Sequence, residues 1–160
     1  MDRLAADAFS ELAGQEDYGQ AVFHKSDLPP CIGDKKSLYR VWLNLVGNAL
    51  KYSTAAGHPV VTVTSARRSG YIEYSVGDNG IGFDPVYADK LFRVFQRLHS
   101  GRRYAGTGIG LAIVKRTVNR HGGTVAADGK PGAGAIFRFR LPDALLQSDV
   151  GVRPDDRLQI

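Results

Sequence analysis

Asp78 stands in the run VGDNGIGFDP, Val76 through Pro85, directly after a segment that alternates apolar and polar residues. A carboxylate at a strand end accepts hydrogen bonds, and this one could take a bond from the exocyclic amine of a purine. Gly80 and Gly82 leave room for a flat ligand to approach the backbone. An ordinary Asp-Asn-Gly turn uses the same residue types, so the stretch alone supports either use.

Asn44, Asn48 and Lys51 fall at i, i+4 and i+7, which on a helix makes one polar stripe. Asparagine is a poor helix former, so two of them in mid-helix suggest side-chain chemistry, although plain solvent-facing positions give the same pattern. An amide oxygen is a neutral hard ligand suited to Mg²⁺, and Lys51 can meet a phosphate. In GTGIGLAIVK, Gly106, Gly108 and Gly110 open a helical pattern. Glycines at a helix start let backbone N–H groups approach an anion, and the helix dipole favours negative charge there. Leu111 stands where a dinucleotide fingerprint needs its third glycine, and the stretch follows a polar loop instead of a strand. Lys35 and His24 precede the two Lys-Ser pairs where a Walker A loop needs glycine. Both of those phosphate motifs are thereby set aside, and a flexible glycine linker remains the alternative use.

These stretches need a strand end, a helix face and a helix start to hold them, and the rest of the chain supplies them. Leu4, Ala5, Ala8, Phe9 and Leu12 recur at helical spacing, and AVFH reads as a short strand before Pro29-Pro30. From Asp34, a candidate N-cap, the residues Leu38, Val41, Trp42, Leu45, Val46, Ala49 and Leu50 mark one apolar helix face. VVTVTSA and YIEYSV flank RRSG, which predicts a hairpin with Gly70 in its turn. YADKLFRVFQRL follows with a helical pattern, then the polar HSGRRYAGTG, then a helix from Ile109 to Arg120 that ends at Gly122-Gly123. TVAA and AIFRFRLP complete the strands around a glycine loop. The pattern predicts one α/β domain over residues 1–142, a mixed sheet of about five strands covered by three main helices. Residues 143–160 are polar, lack a clear period, and are expected to form a flexible tail.

At 160 residues the chain has the size of one domain with its own core. Cys31 is the only cysteine, which rules out an internal disulfide and fits a reducing compartment. Apolar runs are short and broken by charge, so neither a membrane span nor a leader is expected, and no direct membrane contact. The net charge is +5, but the basic residues are dispersed as Lys35-Lys36, Arg67-Arg68 and Arg102-Arg103 without interleaved aromatics. That pattern argues against nucleic acid and for a solvated basic surface or a site for a small polyanion.

The ordered set NLVGNALKY, DNGIGFD, LFRVFQRL, GTGIGLAIVK and GKPGAGAIF resembles the N, G1, F, G2 and G3 boxes of the ATP-binding catalytic domain of sensor histidine kinases. The resemblance runs from Asp34 to Pro142, and YADKLFRVFQRLH is similar to kinases attached to phytochrome-type sensors. It implies the Bergerat fold, a two-layer α/β sandwich with ATP under a mobile lid. It also implies that Asp78 receives the adenine amine beside Gly80 and Gly82, with Tyr52 flanking the ring. By the same resemblance Asn48 is the Mg²⁺ ligand, Asn44 a polar neighbour, and Lys51 and Arg97 the cations on the transferring phosphate. Gly106, Thr107, Gly108, Gly110 and Leu111 are implied to offer backbone N–H groups to the phosphate chain.

Two departures carry meaning. Gyrase and Hsp90-type relatives hold a glutamate, as general base, at the position of Asn44, and an amide cannot do that work. Ala135 replaces the hydroxyl residue often found after the second glycine of the last loop, which removes an anchor for water near the adenine. His24, His58, His99 and His121 are followed by Lys25, Pro59, Ser100 and Gly122, none acidic, so none has the context of the family's phosphate acceptor. All four are expected to be surface or structural residues. The resemblance therefore implies a cytoplasmic kinase domain that binds ATP and Mg²⁺. It would phosphorylate a histidine on a separate dimerisation domain of a homodimeric kinase, which then serves a response regulator. An anti-sigma-factor-type serine kinase and a nucleotide-gated binding module share the fold and stand as alternatives.

Overall fold

The central helix, α2 (Lys35–Ser53), begins where the sequence offers a cap, since the Asp34 carboxylate accepts the Ser37 backbone N–H at 2.8 Å. Its expected apolar row is its buried row: Leu38, Val41, Trp42, Leu45, Val46, Ala49 and Leu50 are at most 1% exposed. A short 3₁₀ turn, Thr54–Ala56, closes it ahead of Gly57 at φ 75°. The computed structural model describes residues 1–14, 18, 20–96 and 107–143.

Helix α1 (Asp2–Ala13) buries Leu4, Ala5 and Ala8 and packs on α2. Phe9 of α1 stacks on Phe23 of strand β1 (Val22–Lys25) with ring centres 4.2 Å apart, which ties the first helix to the sheet edge. Strands β2 (Val60–Arg68) and β3 (Tyr71–Asp78) form the expected hairpin, with Gly70 at φ 85° in its two-residue turn. Helix α3 (Gly110–Arg120) follows, then β4 (Thr124–Gly129) and β5 (Ala135–Pro142). The sheet order is β1-β2-β3-β5-β4, with β1 parallel to β2 and the other neighbours antiparallel.

Period-two alternation sends Val61, Val63, Ile72, Tyr74, Val76, Phe137, Phe139 and Leu141 to the face that the helices cover, and all are buried. Phe139 stacks on Tyr74 at 5.0 Å and meets Trp42 edge-on at 5.2 Å, so α2, β3 and β5 share one aromatic contact. Among the described residues the outcome is the expected two-layer α/β sandwich, a five-stranded mixed sheet under three α-helices.

One element differs from expectation. No α-helix forms over the described part of YADKLFRVFQRL; Pro85–Lys90 is a 3₁₀ turn, started by the Asp84 carboxylate accepting the Val86 N–H at 3.0 Å. Tertiary demands override the helical periodicity here. Phe92 is buried edge-on against Phe137 at 6.4 Å, while Val86, Val94 and Phe95 face outward at 75%, 55% and 76% exposure. Phe95 has φ 61° and donates its N–H to Gly108 O at 3.0 Å, a backbone that no helix contains. Asp143, the first residue of the expected tail, is 2% exposed; its carboxylate meets Arg67 Nε at 2.9 Å and its amide donates to Gly70 O. The rest of that tail and most of the expected lid lie outside the described residues.

Candidate functional site

A cavity of about 390 Å³ opens beside α2, where the end of β3, the start of β5 and the first turn of α3 converge. Helix α2 contributes Asn44, Asn48 and Lys51, the polar stripe that its own spacing predicts, together with Tyr52. Asp78 comes from the last position of β3, and Thr107, Gly108, Gly110 and Leu111 come from the approach to α3. Arg97 and Gly106 lie outside the described residues.

Asp78 sits among apolar walls, and burial pushes its carboxyl up to about 6 even though the Gly80 and Ala135 backbone amides donate to it. The neighbouring Asn79 turns the other way: its Oδ1 accepts the Val60 N–H at 2.9 Å and its Nδ2 donates to His58 O at 2.8 Å. Asn79 thus ties the end of β3 to the start of β2, which leaves Asp78 as the polar group of this turn that lines the cavity.

The two glycines after it also have a packing job. Gly80 does not line the cavity: a Cβ there would lie 2.2 Å from Tyr52 O, and Ile81 donates its N–H to that same carbonyl at 3.3 Å. Gly82, at φ 61°, lines the cavity, but a Cβ on it would meet Lys130 O at 2.0 Å. Both glycines let backbone press on backbone, locking the turn between the end of α2 and the β4–β5 loop.

The α3 start presents the free positive end of its dipole rather than a side-chain cap. Gly108 has φ 69°, Ile109 provides no side-chain cap, and the first turn holds no acidic residue. The positive end of the helix dipole therefore shares the cavity with Lys51, whose Nζ lies 4.9 Å from the centre of the Tyr52 ring. Asn44 donates Nδ2 to Arg40 O at 2.7 Å, and its Oδ1 abuts Gly110, where an added Cβ would lie 2.5 Å away. An amide oxygen at Asn48 fits a hard cation that keeps most of its oxygens from phosphates and water. Among the described residues no cluster of three acidic, histidine or cysteine side chains forms a metal cage of its own.

The apolar side of the cavity is formed by Phe83, Leu91, Ile113, Ala135 and Phe137, of which the sequence places only Ala135 near the ligand. Ala135 and Phe137 were legible, because alternate residues of β5 share the face of Phe139 and Leu141. Phe83 was not, because its seat depends on Gly129, where a Cβ would strike the Phe83 ring at 2.5 Å. Of the histidines, His121 is structural as expected: it accepts the Asp34 N–H at Nε2, 3.0 Å away.

A mixed sheet under helices, with a half-buried carboxylate, a lysine and an uncapped helix start around one cavity, is an α/β domain with a site suited to a small polyanion. Residues 33–145 match the family described as histidine kinase-, DNA gyrase B-, and HSP90-like ATPase, and the chain belongs to that family of ATP-binding domains. The phytochrome-like protein Cph1 of Synechocystis sp. is 33% identical over 84% of this chain, which corresponds to 18% of that protein. The sensor-like histidine kinase SenX3 of Mycobacterium tuberculosis is 39% identical over 73% of this chain and 28% of its own length. Among solved structures, the mycobacterial sensor histidine kinase MprB superposes with a TM-score of 0.77 at 29% identity, covering 88% of this chain and 93% of that one. Full-length ShkA in complex with AMPPNP gives a TM-score of 0.71 at 30% identity, over 88% of this chain and 29% of that one. The chain is thus homologous to the catalytic domains of two-component sensor kinases, and it spans under a third of the length of these curated relatives. No helix among the described residues is long and apolar enough to cross a membrane.

Proposed function

We propose that this domain, working in the cytoplasm, binds Mg-ATP and passes the γ-phosphoryl group to a histidine on a separate dimerisation segment of a homodimeric kinase, whether soluble or membrane-anchored. That histidine then supplies an aspartate of a response regulator. The observation that carries the reading is the convergence of Asp78, Asn48, Lys51 and the uncapped α3 start on one cavity. The AMPPNP held by the homologous ShkA supports the choice of nucleotide.

In this reading Asp78 accepts the adenine amine, with Gly82 and Tyr52 beside the ring and Gly80 holding the turn in place. The amides of Thr107, Gly108, Gly110 and Leu111, with Gly106 ahead of them, take the phosphate oxygens, which suits the helix dipole. Lys51 and Arg97 carry positive charge to the transferring group, where charge neutralisation and positioning supply most of the catalysis. Asn48 would hold Mg²⁺ through its amide oxygen, and the bound ion would neutralise charge on the phosphates. Asn44 offers no base to activate water, since an amide does not take up a proton near neutral pH, and this favours transfer over hydrolysis.

Incubating the chain with γ-labelled ATP, with and without a histidine-bearing helical hairpin from a candidate kinase, tests the proposal. Acid-labile phosphate on the hairpin, with little on the chain itself and slow ATP loss in its absence, is the expected result. Acid-stable phosphate on a partner serine, or robust acid-labile phosphate on this chain alone, would overturn it.

A further inference from the structure

We infer that His121, at the far end of α3 from the cavity, is a positioning residue for phosphate binding. The inference rests on the reading that the cavity binds ATP. Helices α2 and α3 pack on one another and touch at two matched points. Gly110, the first residue of α3, abuts Asn44. His121, just past its last residue, meets Asp34, the N-cap of α2. The two helices are therefore antiparallel, and the contacts are ten residues apart on α2 and eleven on α3. At about 1.5 Å per residue these spans agree to within about 2 Å, so the two contacts bracket the buried middle of α3, Val114 and Val118, and resist its tilting.

The His121 ring is committed on both edges. The Asp34 backbone N–H can only donate, so Nε2 accepts it at 3.0 Å, and the ring proton on Nδ1 is given to Thr117 O at 2.8 Å. The Asp34 carboxylate is occupied with Ser37 N and does not substitute for the ring. Gly33 provides the slot, because a Cβ there would lie 2.9 Å from His121 Cδ2 and 2.5 Å from Leu38 Cδ1. Deleting the ring removes the contact at one end of α3, so the helix can tilt about its buried Val114 and Val118 and carry its first-turn amides away from Asn48 and Lys51. Asp78 lies on β3, so the adenine end keeps its geometry.

The test compares ATP with adenosine, by titration of the whole chain as wild type, His121→Ala and His121→Gln. ATP affinity should fall about tenfold in His121→Ala while adenosine affinity stays within about twofold, and His121→Gln, whose amide oxygen reaches the Nε2 position, should recover most of the loss. The amide resonances of Gly110 and Leu111 should shift in His121→Ala and return in His121→Gln. Gly33→Ala, which closes the slot, should reproduce the selective loss and serves if His121→Ala does not fold. Equal losses for ATP and adenosine, unchanged ATP binding, or no recovery in His121→Gln would each overturn the positioning role. A wild-type chain that binds neither ligand would instead remove the ATP reading on which it rests.

Discussion

Gly110 and Asn44 touch where α3 crosses α2, with only 2.5 Å between a Cβ placed on the glycine and Oδ1 of the asparagine. Two residues that read as separate nucleotide contacts in the sequence are thereby also a packing pair. The helix that presents backbone amides and the helix that carries Asn48 and Lys51 are held at van der Waals distance by the absence of one methyl group.

Gly110→Ala therefore sets two effects against each other. Alanine in a helix gains up to about 1 kcal/mol over glycine, whereas overpacking a fixed contact costs about 1–3 kcal/mol. The clash should win, and urea unfolding should show a net loss. In an Asn44→Ala background the oxygen is gone and the same substitution should become neutral or stabilising. Additive effects of the two substitutions would show that the contact carries no energy.

Gly80→Ala separates a role in the fold from a role in ligand access. Its Cβ would enter the Tyr52 carbonyl at 2.2 Å, and neither backbone can retreat without breaking the turn between α2 and β3. The variant should lose about 3 kcal/mol or more without any nucleotide present. Gly57→Ala is the control, since at φ 75° and ψ −40° with nothing within 4 Å it suffers only backbone strain, about 1–3 kcal/mol. Equal losses at the two positions would show that the Tyr52 contact is not the constraint.

Asp78 trades stability for recognition. Its folded-state carboxyl, pushed up to about 6 by burial, holds a proton that the unfolded chain has already released. That contribution is fully present below about pH 4, the ordinary range for aspartate, and is lost as pH rises through 6. Asp78→Asn, neutral at every pH, should be more stable than wild type by about 1–3 kcal/mol near neutral pH and lose that advantage near pH 4. It should also lose ATP affinity, because an amide nitrogen meets the adenine amine donor to donor. Thermal melts across this range decide the first part and calorimetry the second; a wild type more stable than Asp78→Asn at neutral pH would contradict the burial cost.

The parts of this domain legible in its sequence are those set by local period and local chemistry. Seven apolar positions of α2 repeat at helical spacing, and Asp34 caps the helix, because both depend on neighbours within a few residues. Gly70 marks its turn for the same reason. The segment from Pro85 to Gln96 misled, because Phe92 is drawn to Phe137 and Phe95 to Gly108, contacts that no local pattern encodes. The polar half of the cavity was readable because rare residue types at fixed offsets stood out. Its apolar half was not, since Phe83 and Leu91 look like any core residues until the loops around them are placed.

Asn48 carries the last prediction, which concerns the metal. Among the described residues no three acidic, histidine or cysteine side chains converge, so none of these residues forms a cage that would bind Mg²⁺ without the nucleotide. Mg²⁺ keeps octahedral geometry and several waters, and one amide oxygen plus phosphate oxygens can complete such a shell. The metal should therefore strengthen ATP binding and leave adenosine binding unchanged. Asn48→Ala should remove the Mg²⁺ dependence of ATP affinity and leave the metal-free affinity within about twofold, because Asp78 and the α3 amides are untouched. Asn48→Asp restores an oxygen ligand with added charge, and should recover metal dependence at the cost of metal-free binding through repulsion of the phosphates. Titrations of ATP and adenosine with Mg²⁺ and with a chelator give all four comparisons, and an undiminished Mg²⁺ effect in Asn48→Ala would assign the ion to other oxygens.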